Sequence, residues 1–109
     1  MEKTFAALGD PTRLAVINLL RDRPHRAGEL ASALQMSAPA LSRHLRVLRK
    51  SGLIADDEPD SDARVRLYRL QPAAFASMRD WLTEVEAFWG GQLEAFKAHV
   101  ESAPTDGAA

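Results

Sequence analysis

Apolar residues recur at helical spacing through the first half of the chain and predict four short helices there. The first runs from Glu2 to Leu8. Asp10 suits the N-cap of the second helix, Pro11 suits its first turn, and this helix is expected to end near Pro24. The stripe that the second helix is predicted to bury consists of Leu14, Val16, Ile17 and Leu20.

The third and fourth predicted helices, about residues 27–34 and 38–50, are joined by a very short connection. The third is expected to bury Leu30 and Leu34. Ser37 suits the N-cap of the fourth, and Gly52 suits the left-handed position beyond its end. Two helices joined so closely are typical of a helix-turn-helix.

Beyond Gly52 the pattern changes to two β-like runs, "LIADD" and "ARVRLYRL", which predict a hairpin around an acidic turn. Pro72 then begins a long helix with a heptad-like apolar seam, which Gly90 and Gly91 are expected to break or kink. The fold class is therefore mainly α with a small β-hairpin: a winged helix-turn-helix with an additional helix at each end. Residues 1–71 would form the winged helix-turn-helix domain, residues 72–101 a last helix in the same compact domain, and residues 102–109 a disordered tail.

The fourth helix carries its positive charge opposite its buried face, which is expected to contain Leu41, Leu45 and Leu48. No acidic residue interrupts this helix. Arg43 can bond to guanine O6 and N7 in a bidentate manner, and Ser42 can contact a base or a phosphate. The other cations of the helix are expected to hold phosphates: Arg46, Arg49 and Lys50.

Charge is distributed unevenly along the chain, although its net value is only −1. Residues 1–55 carry nine Lys or Arg and four Asp or Glu, whereas residues 72–109 carry two and six. A basic first half suits a polyanionic partner. A chain of 109 residues buries a modest core, so a dimer that adds buried surface is plausible. Cysteine is absent, which excludes disulfides and thiolate metal sites, and no long apolar run indicates secretion or a membrane span, so the expected location is cytoplasmic.

Three stretches, "FAALGDPTRLAVINLL", "ELASALQMSAPALSRHLRVLRKSGLI" and "RVRLYRL", resemble the ArsR/SmtB family of bacterial winged-helix transcriptional regulators. The resemblance covers about residues 5–70. It implies a homodimeric repressor of transcription that binds a partly palindromic operator in double-stranded DNA and dimerises through its first and last helices. The interface residues expected on this basis are Phe5, Leu8, Phe75, Met78, Leu82, Val85, Trp89 and Phe96. The expected DNA-binding residues are Ser37, Ala38, Pro39, Ser42, Arg43, His44, Arg46, Arg49, Lys50, Arg64 and Arg66.

The two metal sites common in that family have no counterpart in this sequence. Arg26 and Gly28 stand where one site has a Cys-x-Cys pair, and the Asp-x-His pattern of the last helix is absent. The resemblance therefore implies DNA binding without these metal sites; no cofactor is predicted, and the effector is unknown. No catalytic triad, phosphate-binding loop or carboxylate pair stands out, so the chain is not expected to be an enzyme.

Several alternatives stay open. The chain could be a dimeric protein-interaction module of the same fold, with the acidic hairpin as its contact. The repressor could sense a small apolar ligand through its aromatic seam. It could instead sense a metal through His99 and Glu101, which would need partners such as Glu84 or Glu86 of a second subunit. Of the other histidines, His25 is expected to be solvated in a loop and His44 to pack or to contact a phosphate.

The predicted wing is unusually acidic for a part of the protein that should lie against DNA. Five of the seven residues from Asp56 to Asp62 are Asp or Glu. Arg64 and Arg66 follow on the second strand and can still reach phosphates. Because carboxylates are repelled by phosphates, the acidic tip is expected to point away from DNA into solvent. A cation site and a brake on non-specific binding are the alternatives.

Overall fold

Helices and strands follow one another in the order that the sequence predicts, with one additional short strand between the second and third helices. The computed structural model describes residues 1–57 and 66–102. Its helices are α1 (Glu2–Leu8), α2 (Pro11–Asp22), α3 (Ala27–Leu34), α4 (Ala38–Lys50) and α5 (Pro72–Ser102), and its strands are β1 (His25–Arg26), β2 (Ile54–Asp56) and β3 (Leu67–Leu70). The predicted fold class is confirmed. Ser102, assigned to the tail from the sequence, is the last residue of α5, and the rest of that tail lies outside the described residues.

The N-termini of α2 and α4 are capped by the side chains that the sequence predicts. A carboxylate oxygen of Asp10 accepts a hydrogen bond from the backbone N–H of Arg13 at 3.0 Å. The hydroxyl of Ser37 accepts one from the N–H of Ala40 at 3.3 Å. Each bond satisfies a donor that has no partner within its helix, and so each defines where its helix begins.

The C-terminus of α4 is closed by a Schellman motif centred on Gly52. The N–H of Leu53 donates to the carbonyl of Leu48, and the N–H of Gly52 donates to the carbonyl of Arg49, both at 3.1 Å. This geometry needs a left-handed residue, and Gly52 has φ of 81°. The motif directs the chain from α4 straight into β2.

The core of the unit formed by residues 1–77 brings together one face of each of α2, α3 and α4 with the sheet. Its apolar residues include Val16, Ile17, Leu20, Leu30, Leu41, Leu45, Leu48, Leu53, Ile54 and Tyr68. Leu34 is half-buried. The prediction that Leu14 is buried is wrong, because its side chain is 45% exposed. At about 100° per residue, the buried arc of α2 is centred on Leu20, and Leu14 lies beyond its edge.

A three-stranded antiparallel sheet in the order β1-β3-β2 completes this unit. The expectation that His25 is solvated in a loop is wrong: it lies in β1 opposite Tyr68 and is only 8% exposed. Its Nδ1 lies 2.8 Å from the carbonyl oxygen of Arg23. Tyr68 is buried and Arg69 is exposed, which establishes the face of β3 that packs on the core.

The last helix, α5, is continuous over 31 residues. The predicted break at Gly90 and Gly91 is wrong. Two glycines cost a helix about 2 kcal/mol relative to alanine, which a helix of this length tolerates. From Met78 onward α5 belongs to a second compact unit, in which Met78 is buried and most of the large apolar side chains are exposed. None of the helices described is apolar enough over a sufficient length to cross a membrane.

The cap of α2 makes stability depend on pH. The backbone N–H of Arg13 lowers the pKa of Asp10, and the charges of Arg13 and His44 lower it further. A carboxyl whose pKa is lower in the folded than in the unfolded chain stabilises the fold at every pH above the unfolded pKa, which is 3.8 for Asp10. That contribution is lost as the pH falls through the folded pKa. Asp10→Ala should therefore melt below wild type at neutral pH, and the difference should narrow in acid.

Calorimetry at several pH values checks this prediction. Asp10→Asn, which keeps an acceptor for the cap, should lie between wild type and Asp10→Ala at neutral pH. Asp22→Ala, at the opposite end of α2, is the control for loss of an exposed carboxylate. A difference between wild type and Asp10→Ala that stays constant into acid would contradict the proposed contribution of the charge.

Candidate nucleic-acid interface

The turn between α3 and α4 contains a left-handed residue and is closed by backbone hydrogen bonds. Gln35 adopts a left-handed conformation with φ of 54° and ψ of 48°. The N–H of Met36 donates to the carbonyl of Ala31 at 3.0 Å, which closes the end of α3. Sequence reasoning missed this conformation, because a left-handed residue other than glycine or asparagine is uncommon. Together with the Ser37 cap, the turn fixes the helix-turn-helix.

The predicted division of α4 into a buried stripe and an exposed basic face is confirmed. Leu41, Leu45 and Leu48 are each at most 4% exposed. The polar residues on the opposite face are exposed: Ser42, Arg43, Arg46 and Lys50. Arg49, at the edge of the buried stripe, is exposed as well. Ser37, Ala38 and Pro39 are also exposed and extend the same surface to the N-terminus of the helix. This surface offers guanidinium and hydroxyl donors without an acidic residue among them.

His44 lies at the side of α4, half-buried against the start of α2. Its Nδ1 is 3.5 Å from Nη1 of Arg13 and 3.8 Å from Oδ2 of Asp10. Nε of Arg13 in turn donates to the carbonyl of Ala7, at the end of α1, at 2.7 Å. This cluster links α1, α2 and α4, so His44 does pack as one of its expected roles requires. Contact with DNA stays a prediction for this residue.

A second basic surface adjoins α4, and sequence reasoning did not find it. A groove of about 350 Å³ is lined by three cations, Lys3, Arg13 and Lys50, from three different helices. Only the folded chain brings Lys3 of α1 beside the end of α4, so no local pattern could indicate it. These side chains lie beside the basic face of α4.

At the base of the wing, the first acidic residue lies inside the fold. Asp56 has a side chain that is only 8% exposed, and its Oδ2 is 3.7 Å from both Nη1 of Arg49 and Nε of Arg66. Asp57 pairs with Arg69. The expectation that the acidic stretch points into solvent is therefore wrong for Asp56. The remaining acids of the stretch and Arg64 lie outside the described residues.

An open groove of about 410 Å³ lies beside α3 and α4, and its lining combines small residues of the two helices with Leu41, Leu45 and Tyr68. Ala38, Pro39 and Ser42, three of the expected DNA-binding residues, form one wall. Among residues 1–57 and 66–102, no cluster of three or more metal-ligating side chains is found.

The chain has a helix-turn-helix whose second helix exposes a basic face, and two paired strands follow it. These features define a winged-helix DNA-binding protein. Residues 10–56 match the family model described as bacterial regulatory protein, arsR family. The chain is 35% identical over 105 residues to the HTH-type transcriptional regulator Rv2034 of Mycobacterium tuberculosis, covering 96% of this chain and 92% of that protein. It is 38% identical over 85 residues to the arsenical resistance operon repressor of Escherichia coli, covering 75% of this chain and 73% of the repressor.

Comparison with a solved structure also supports membership of this family. The ArsR-like transcriptional regulator from Rhodococcus sp. RHA1 is 30% identical, with a TM-score of 0.77 over 94% of this chain and 92% of that one. The chain thus belongs to the ArsR family, as its sequence motifs indicate. It is a DNA-binding transcriptional regulator and not an enzyme.

Proposed function

We propose that this regulator is a homodimeric repressor that binds a partly palindromic operator. The observation that carries the proposal is the exposed, acid-free basic face of α4, presented by a capped helix-turn-helix. Arg43 reads a base edge, Ser42 bonds to a base or a phosphate, and the other cations of the helix hold the backbone. Residues 1–71 act as the DNA-binding part and residues 72–101 as the dimerisation helix.

The exposed apolar face of α5 supports the homodimer. Trp89 is 60% exposed and Phe96 is 68% exposed, with Leu82 and Val100 on the same side of the helix. A contiguous apolar face of this kind marks an interaction surface. In a two-fold dimer, each subunit presents its own α4 to one half-site, so the operator repeats in inverted orientation.

Arg26 and Gly28 support regulation without the family's thiolate site. The family resemblance implies that they stand where that site has its paired cysteines. Glycine has no side chain, and a guanidinium carries no lone pair for a metal at neutral pH. Repression is the favoured direction because relatives are named as repressors, among them the Escherichia coli protein.

Salt dependence tests this proposal against the protein-interaction module. A protein that neutralises phosphates loses affinity steeply as salt rises, with log K falling by about 0.9 per phosphate contact for each log unit of salt. Titration of the full chain with a duplex from its own upstream region, at several salt concentrations, should show this slope. A flat response, together with no protected region in a footprint, would favour the protein-interaction module.

Lys50→Ala should weaken binding to operator and to scrambled DNA by the same factor. Lys50 is exposed at the end of α4, where an ammonium can meet a phosphate but is far from the N-terminal base-reading residues. Loss of one phosphate contact should reduce the salt slope by about one. Lys97→Ala, an exposed lysine of α5, is the control and should leave the slope unchanged. A selective loss of operator binding in Lys50→Ala would instead place this residue among the base-reading groups.

A further inference from the structure

One carboxylate, that of Asp56, links the end of α4 to Arg66, the residue that precedes β3. Its Oδ2 lies 3.7 Å from Nη1 of Arg49 and 3.7 Å from Nε of Arg66. The same oxygen is buried and has no hydrogen-bond partner among the described residues. A buried carboxylate oxygen without a hydrogen bond is costly, so its place beside two cations calls for an explanation.

We propose that Asp56 is a positioning residue for DNA binding, which holds Arg49 and Arg66 together as one phosphate clamp. The proposal rests on the function proposed above and assigns a role to a residue of the acidic stretch. The clamp couples the orientation of the wing to that of the recognition helix. Asp56 itself does not touch DNA.

Charge balance supports a clamp. Two guanidiniums that both lie within 4 Å of one point repel each other, and the carboxylate between them offsets that repulsion. The distances of 3.7 Å exceed those of a direct hydrogen bond, so Oδ2 holds both groups by charge.

Burial distinguishes Asp56 from an electrostatic brake. Its side chain is 8% exposed, whereas that of Arg49 is 44% exposed, so an approaching phosphate meets the guanidinium before the carboxylate. Asp57, the next residue, is 44% exposed and pairs with Arg69 outside the clamp. The two aspartates are adjacent and carry the same charge, so they form a matched pair for an experiment.

The experiment compares Asp56→Asn with Asp57→Asn in the full chain. The specific probe is a duplex that the wild-type protein selects from a random-sequence pool, and the non-specific probe is a scrambled duplex of equal length. Both variants remove one negative charge. Asp57→Asn should bind both probes slightly more tightly and keep the wild-type ratio of their affinities. Asp56→Asn should lower that ratio about tenfold, a coupling of the size seen between contacting groups.

Equal ratios in the two variants would overturn the positioning role while leaving DNA binding intact. A wild-type protein that selects no sequence and shows no salt dependence would overturn the proposed function and the clamp with it. If Asp56→Asn melts too low to be studied, the single and double Arg49→Gln and Arg66→Gln variants replace it. The clamp requires that their effects on specific affinity be strongly non-additive, and simple additivity would overturn it.

Discussion

Replacing Arg43 with alanine should reduce affinity for the operator by about 1–3 kcal/mol, the range for loss of one bidentate base contact. Arg43 lies one turn into α4, on the exposed face opposite the buried leucines. A guanidinium can donate two parallel bonds to guanine O6 and N7, and alanine can donate none. The loss should therefore be confined to one base pair in each half-site, where the variant should tolerate any base.

Titrations against the selected duplex and against duplexes changed at one position at a time measure both parts of this prediction. Binding to scrambled DNA should fall much less than binding to the operator. Arg21→Ala removes an equally charged, exposed side chain from α2, outside the helix-turn-helix, and serves as the control. If Arg43→Ala binds the operator as tightly as wild type, with every position still discriminated, the reading face has been placed wrongly on α4.

The helix-turn-helix could be predicted closely because local chemistry determines its limits. The bounds of α3 and α4 agree with those expected from the sequence. Ser37 and Gly52 satisfy backbone groups at the two ends of α4, and such bonds depend only on neighbouring residues. The exposed basic face followed equally from helical periodicity, since the leucine stripe defines the opposite side.

Features that depend on distant parts of the chain were not predictable. The strand β1 has two residues, too few for any periodicity, and exists because His25 pairs with Tyr68 across the chain. Asp56 looked like one member of a solvated acidic run, and only pairing of β2 with β3 places it between Arg49 and Arg66. Composition indicated the charge of this segment, and tertiary structure determined which of its charges are neutralised.

The apolar face of α5 could be predicted from the sequence, but the continuity of the helix through Gly90 and Gly91 could not. The spacing of its apolar residues favours one long helix, and the propensity of two adjacent glycines opposes it. The helix is nonetheless continuous at Gly90 and Gly91, and a side chain added at either would meet nothing within 4 Å among the described residues. Continuity extends the apolar face to Phe96 and Val100, which makes this face the natural target for a test of dimerisation.

Trp89→Glu should convert the proposed dimer into a monomer. The indole is 60% exposed in the single chain and forms an edge-to-face contact with Phe88 at 6.0 Å between ring centroids. Burying a large apolar side chain stabilises an interface by about 1.5–3 kcal/mol. Because a two-fold dimer buries this side chain in both subunits, the stabilisation is doubled. Glutamate would lose this stabilisation and also place two like charges in the interface. The dimer dissociation constant should rise by a factor of about 10² to 10⁴.

Sedimentation over a range of concentrations measures that change, with Ala87→Glu as its matched control. Ala87 is exposed and lies about 200° around α5 from Trp89, so the same charge enters on the polar side of the helix. Because Trp89 is mostly exposed in one chain, the variant should keep its helical circular dichroism. Its operator binding should fall to that of a single half-site. If the Trp89→Glu protein stays dimeric, the interface does not use this face of α5. If it is a monomer that still binds a full palindrome tightly, recognition does not require the dimer.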